Sequence, residues 1–284
     1  MAKLGVVLDA CVLFPMYLRD VLLCTAEAGL YIPYWSQKIL DEAMGNLVSA
    51  GKISAEKAMS LEEIMKAAFP EAMVEVPVGL EQLMRNDPKD RHVLAAAVKA
   101  DADVIVTDNI ADFPTAALAY WNIKAQTPDE FLSDLFDETP ESIVQVLRRQ
   151  SGKYRNPKKT VADLLDFLDR KANLSKFASQ VLFYQYSREV LQTAKKALSQ
   201  RGIPAADGSR FLEDERYRLW QQEQTLTIAA KDGRGEILRQ QDEKIEGNLS
   251  AEDVRAFQLL EQELAQPEEQ QPESDDSPGS NRLL

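Results

Sequence analysis

The chain has 284 residues, 45% of them hydrophobic, and a formal net charge of −13. That length allows one large domain or two small ones with an ample core, and no apolar run approaches the ~18 residues of a membrane span. An acidic chain is a poor general binder of nucleic acid, and the apolar start, Val6 to Pro15, is broken by Asp9 and lacks a basic leader, so it does not read as a signal peptide.

Residues 3–9 read as an apolar strand closed by Asp9, followed by helical text from Met16 to Ala28. Leu30 to Pro33 reads as a short strand, and Ser36 can cap a helix that runs to about Val48 and stops before Gly51. A second helix runs from Ser54 to about Ala68, and Met73 to Val76 reads as a strand. Asp87-Pro88-Lys89-Asp90 reads as a helix start, with Asp87 as cap, Pro88 in the first position and Asp90 in the third, ahead of Arg91 to Ala100. The strand 103–107 is followed by Asp108, and a short strand lies near Ile123-Lys124. Such alternation predicts an α/β fold, a mainly parallel sheet flanked by helices, over residues 1–130.

Residues 131–200 lose the strands and read as a helical extension, with apolar residues at helical spacing such as Ile143, Val144 and Leu147. Residues 201–265 read as a small β-hairpin (Thr225–Ala229, turn at Asp232-Gly233, return over Glu236–Arg239) plus a helix opened by Ser250 and ending near Leu264. Residues 266–284 are rich in Pro, Glu, Gln, Ser and Asp, a composition expected to be disordered.

Charge follows these divisions. Residues 1–130 carry 11 basic and 19 acidic groups (net −8), residues 131–200 carry 12 and 8 (net +4), and residues 201–284 carry 10 and 19 (net −9). Within the basic middle, Arg148, Arg149, Lys153, Arg155, Lys158 and Lys159 surround Tyr154. This run can pair with RNA phosphates and stack on a base, or it can simply be a solvated face.

Two strands that each end in an aspartate, Asp9 and Asp108, are the chemical signal. Ligands gather outside the carboxyl ends of parallel strands. Carboxylates crowded there repel one another unless a cation lies between them, and hard oxygen ligands suit Mg2+ or Mn2+. Asp90 also fits a purely structural role near a helix start. Asp112 can ligate metal or cap a turn. Asp41 and Glu42 flank the apolar stripe of their helix on opposite sides, so helical geometry leaves the choice open; Asn46 shares the edge of Glu42. Thr107 and Asn109 can orient the carboxylates. His92, the only histidine, reads as a helix surface residue. No Gly-rich phosphate loop is present, and neither cysteine, Cys11 or Cys24, lies in a CxxC pair, which fits a reduced cytoplasmic protein.

Four segments in order resemble the PIN-domain family, in its VapC-like toxin ribonuclease branch: Val7-Leu8-Asp9-Ala10-Cys11-Val12-Leu13, Trp35-Ser36-Gln37-Lys38-Ile39-Leu40-Asp41-Glu42, Asp87-Pro88-Lys89-Asp90-Arg91-His92-Val93-Leu94, and Val104-Ile105-Val106-Thr107-Asp108-Asn109-Ile110-Ala111-Asp112-Phe113-Pro114. The stretch from about 128 to 180 looks like the helical extension of one PIN subgroup. The resemblance implies a metal-dependent endoribonuclease in which Asp9, Glu42, Asp90 and Asp108 are catalytic. Asp9, Asp90, Asp108 and Asp112 would hold Mg2+ or Mn2+. It also implies an RNA substrate, an antitoxin protein as partner and a homodimer, with no membrane. The alternative from the residues is a non-catalytic PIN-like scaffold that binds a partner through residues 201–284.

Overall fold

A computed structural model describes residues 3–266. The first unit comprises β1 (Gly5–Leu8), α1 (Ala10–Leu13), α2 (Met16–Glu27), β2 (Ile32–Tyr34), α3 (Gln37–Ser49), α4 (Ala55–Ala68), α5 (Leu80–Leu83), α6 (Arg91–Ala100), β3 (Val104–Val106), α7 (Thr115–Leu118) and β4 (Lys124–Gln126). Its sheet runs β2-β1-β3-β4, with every pairing parallel. Each residue of β1 and β3 is buried, as their unbroken apolar sequences require of strands covered on both faces. The chain steps outward from β1 to β2 and then returns past β1 to β3, so the switch point lies between the carboxyl ends of β1 and β3.

Several helix ends form as their residues dictate. Ser36 and Ser54 cap α3 and α4 by accepting from the amides of Ile39 and Lys57. Gly51 follows α3 at a φ of 64°, a conformation that favours glycine.

Three local expectations are corrected. Met73 to Val76 forms no strand; only Met73 bridges, to Trp35. The helix expected from Pro88 starts at Arg91, with Asp90 at its cap position and no side-chain cap bond. Asp87 diverts the chain: its Oδ1 accepts from the Lys89 amide at 2.9 Å, and its carbonyl accepts from the Asp90 amide at 3.0 Å. That local turn wins over the helix signal of Pro88. His92 is buried, 2% exposed, and not on the helix surface.

The helical extension contains α8 (Pro128–Glu138), α9 (Pro140–Lys153), α10 (Val161–Ala172) and the long α11 (Ser175–Arg201). Thr127 and Thr160 open α8 and α10 through reciprocal capping boxes with Glu130 and Asp163. Half of the basic run is therefore helical: Arg148, Arg149 and Lys153 ride the end of α9, while Arg155, Lys158 and Lys159 lie on the loop to α10. α9 and α10 pack on α2, and α8 packs on α11.

Beyond α11 the chain builds more than the expected hairpin. β5 (Ile203–Pro204), β6 (Arg210–Glu213), β7 (Tyr217–Gln222), β8 (Thr225–Ala230), β9 (Gly235–Gln241) and β10 (Lys244–Gly247) form a six-stranded antiparallel meander in sequence order, followed by α12 (Ala251–Ala265). Leu212, Leu219, Ile228 and Leu238 align across β6–β9 and turn inward, against α11 and α12. A polar knot around the buried Asp253 ties sheet to helix: the exposed Arg234 donates to both of its oxygens at 2.7 and 2.8 Å, and Tyr217 Oη donates to it at 2.9 Å. The acidic tail, apart from Gln266, lies outside the described residues. Among the described residues no helix is long and apolar enough to cross a membrane.

Candidate functional site

Asp9 leaves β1 in extended backbone and becomes the cap of α1, its Oδ1 accepting from the Ala10 amide at 2.6 Å. Its side chain is enclosed, and the residue is 3% exposed. Oδ2 accepts from Thr107 Oγ1 at 2.6 Å and from Cys11 Sγ at 3.3 Å. Thr107 in turn accepts from the Asn109 amide at 3.0 Å. One hydroxyl thus fixes Asp9 and shapes the loop carrying Asp108. Cys11 completes the brace, because its sulfur also receives the Asp108 amide at 3.4 Å. Burial, and then the charge of Asp9, push the Cys11 thiol up to about 12. It remains a thiol at neutral pH.

The other acids converge on Asp9 electrostatically. The Asp90 carboxyl is pushed up to about 6, first by desolvation and then by the charges of Asp9, Asp112, Asp87 and Glu42. The Asp108 carboxyl is raised by desolvation and then by Asp9, although the residue lies at the exposed rim. Among the described residues no Lys or Arg forms an ion pair with Asp9, Asp90, Asp108 or Asp112, and every ion pair that does form lies elsewhere or joins Glu42 to His92.

The structure separates Asp41 from Glu42. Asp41 accepts from Gln37 Nε2 at 2.7 Å, in a surface network with Glu62 and Lys66. Glu42 instead faces the acidic cleft, with Oε2 3.4 Å from His92 Nε2. His92 Nδ1 lies 2.9 Å from the Lys89 carbonyl, which can only accept, so this ring nitrogen carries the proton. The other nitrogen is buried and turned towards Glu42. Neither the histidine nor Cys11 was legible as part of the site, since a lone His and a lone Cys carry no spacing. Asn86 was also missed; it is 4% exposed with neither amide atom partnered. Asn46 stays exposed one turn beyond Glu42.

The donor chemistry, carboxylate oxygens without a counter-cation, suits a hard divalent ion. As placed, however, no group of three or more His, Cys, Asp or Glu among the described residues reaches a common ion. Asp90 and Asp108 are the side chains free to turn, because neither is held by a side-chain hydrogen bond as Asp9 is.

The basic run is divided in space. Arg149 reaches towards Glu27 at 3.9 Å and Lys153 Nζ lies 4.0 Å from Cys24 Sγ, at the end of α2 far from α1. Arg148 is exposed on α9, and Arg155 and Lys158 are exposed on the loop. Lys159 folds over Tyr17, at the end of α2 that follows α1.

Comparison with known proteins agrees with this architecture. Residues 5–111 match the profile described as PIN domain, and residues 128–183 match the VapC50 C-terminal domain. A Mycobacterium tuberculosis (strain H37Rv) protein described as the candidate ribonuclease VapC50 is 47% identical over 85 residues, which is 30% of this chain and 50% of the relative. The chain therefore aligns with only half of that relative's length. No solved structure matches it. With a parallel sheet closed by aspartates and a helical unit directly after it, the chain carries a PIN domain over residues 5–111, followed over residues 128–183 by a match to the VapC50 C-terminal domain.

Proposed function

We propose that this chain is a Mg2+- or Mn2+-dependent endoribonuclease, the toxin of a toxin-antitoxin pair acting in the cytoplasm on RNA and restrained by an antitoxin protein. What supports this reading is the mutual electrostatic influence of Asp9, Glu42, Asp90, Asp108 and Asp112, from four separate segments, with no Lys or Arg among the described residues paired with Asp9, Asp90, Asp108 or Asp112. Likeness to VapC50 supports the toxin part of the reading.

In this reading Asp9, Asp90, Asp108 and Asp112 would hold the ion, which would supply a more acidic water and neutralise charge on the scissile phosphate. Thr107 and Cys11 keep Asp9 aimed, and Asn109 follows Thr107 in the same loop. Glu42 holds the attacking water from the opposite rim. Water oxygen bonds to phosphorus, the bond to O3′ breaks, and the proton ends on O3′, which leaves a 5′-phosphate and a 3′-hydroxyl. Of the basic run, the exposed Lys158 and the half-buried Lys159 offer charge to the flanking strand, whereas Arg149 and Lys153 lie at the other end of α2.

The test is cleavage of a single-stranded oligoribonucleotide by the full chain with Mg2+ or Mn2+, repeated with a chelator and with Asp9→Asn. Cutting should stop in both cases while the thermal melt of the variant survives. Parental cutting by Asp9→Asn would overturn the site.

A second reading, a non-catalytic scaffold, is favoured by the separation of the carboxylates. A titration with millimolar Mn2+ decides: absence of binding supports the scaffold, and saturable binding lost in Asp9→Asn supports the enzyme.

A further inference from the structure

Lys159 occupies an unusual place for an ammonium group. Its Nζ lies 4.7 Å from the ring centre of Tyr17, 5.2 Å from that of Tyr154 and 4.6 Å from that of Phe167. It also lies 3.5 Å from Tyr17 Oη. The residue is half-buried, and no carboxylate among the described residues pairs with it. Aromatic faces attract a cation but leave its charge uncancelled. A partly desolvated ammonium without an anion is costly.

The two acids that line the neighbouring hollow are already engaged. Asp163 accepts from Arg255 at 3.0 Å and from the Thr160 amide at 3.0 Å. Asp166 pairs with Arg170 at 3.0 Å and with Arg255 at 3.7 Å. Beside Lys159 opens a hollow of about 380 Å3, lined by Lys158, Arg170 and Lys171 as well as by Phe167 and those two acids. In a chain of net charge −13 this hollow is locally positive.

Its position matters as much as its charge. Tyr17 stands in the first turn of α2, and α1, capped by Asp9, immediately precedes that helix. Arg19 locks the two helices together by donating to the Leu13 carbonyl at 2.6 Å. The hollow is lined by residues 157–171 of the helical extension alone, and Lys159, at its edge, reaches Tyr17 on the short, braced piece of backbone that follows Asp9.

We propose that Lys159 and Tyr17 Oη, with Lys158, Arg170 and Lys171 around them, form a phosphate subsite that holds single-stranded RNA beyond the bond being cut. The identity of the ligand rests on the ribonuclease reading above. Lysine acts there as a point charge on a phosphodiester oxygen, and the Tyr17–Tyr154 pair, with ring centres 5.8 Å apart, offers a base an aromatic neighbour. The subsite replaces the full basic run: Arg149 and Lys153 lie at the other end of α2, and Arg170 and Lys171 join from α10.

The experiment measures binding of a fluorescent single-stranded oligoribonucleotide to the full chain, without divalent metal, across a series of salt concentrations. Lys159→Gln should weaken binding about tenfold at low salt. It should lower the salt slope by about 0.7, the share of one phosphate on a single strand. Lys159→Arg should restore the slope, since it returns the charge. With metal present, Lys159→Gln should raise KM for the oligomer by a larger factor than it raises KM for a dinucleotide. The double variant Lys158→Gln/Lys171→Gln alters only exposed side chains and should lower the slope as well, which protects the test from a folding defect at Lys159. Parental affinity and slope in both variants would overturn the subsite while leaving the nuclease standing. RNA bound with the expected slopes but never cut with Mg2+ or Mn2+ would remove the nuclease reading and keep the subsite.

Discussion

Thr107 Oγ1 donates to Asp9 Oδ2 across 2.6 Å and so joins the carboxyl ends of β1 and β3. Both residues are buried. Thr107→Val keeps the shape but leaves that oxygen with only the weak thiol donor of Cys11. A hydrogen bond to a charged group is worth about 1.5–3 kcal/mol, and supporting partners of metal ligands typically contribute 10–100-fold in activity. Cleavage should fall by about that factor, with Thr107→Ser recovering most of it. Equal rates for Val and Ser at this position would show that the hydroxyl does not serve Asp9.

Glu42 and Asp41 are adjacent in sequence and opposite in role. Glu42→Gln should reduce cleavage at least 100-fold, about the lower bound for a positioned proton-handling group, without lowering the melt. Asp41→Asn loses one exposed bond to Gln37 and should change stability by less than about 0.5 kcal/mol, with the rate intact. Steady-state cleavage by the two variants reads this directly, and a reversed ranking would assign the wrong acid.

Asp90 makes stability depend on pH. Its carboxyl is pushed up to about 6 from the usual 3.8, by desolvation first and then by the neighbouring acids. Between those values the folded chain keeps a proton that the unfolded chain releases. Stability therefore falls as pH rises through this window and stays lower at neutral pH. Asp90→Asn should melt about 2–4 °C higher than the parent at pH 7 in chelator, with the difference closing towards pH 4. The gain is small because the carboxyl is only partly buried and solvent screens the neighbouring charges. Millimolar Mn2+ should raise the parental melt at pH 7 and barely move the variant. Identical melting curves at pH 7 would mean that the acids do not strain one another.

Arg234 is the stability prediction away from the cleft. Desolvation alone would raise the Asp253 carboxyl, yet bonds from Arg234, Ser250 and Tyr217 hold it below its usual range. Arg234→Ala removes the exposed partner of a buried carboxylate that keeps its bonds from Ser250 and Tyr217, a change that costs about 1.5–3 kcal/mol. Because the Asp253 carboxyl is held low, its contribution is present at neutral pH and is lost as the solution is acidified. Chemical denaturation should show the loss at pH 7 and a smaller one in acid.

The four strands of the parallel sheet were legible because their signals are local, unbroken apolar runs and the serine caps of intervening helices, whereas the apolar text at Met73 to Val76 forms no strand. The start of α6 misled because Asp87 can bond its own loop, and that turn competes with the helix that Pro88 favours. The burial of His92 had no sequence signal, since the rest of its helix is apolar and tolerates a buried face on any side. The meander was only partly legible. β6 and β10 are short and mostly exposed, so their sequences, Arg210-Phe211-Leu212-Glu213 and Lys244-Ile245-Glu246-Gly247, carry little apolar alternation. Two of its turns place Glu223 and Asp242 at φ of 51° and 52°, without the Asn-Gly pair that announces a hairpin. The spatial division of the basic run was hidden for a different reason: it depends on which end of α2 each side chain reaches.

Tyr31, just before β2, meets Phe131 of α8 edge to face with ring centres 5.1 Å apart, and a single cluster of buried side chains runs from Val6 to Phe257. The segments distinguished by sequence similarity thus share one continuous apolar core. A protease nick in the loop before α10 would loosen both sides of the cut rather than liberate an active fragment, and shortening the gene to its first 130 codons would leave Phe131's partner facing water. Whatever grips the C-terminal meander holds a lever on the stiffness of the entire molecule.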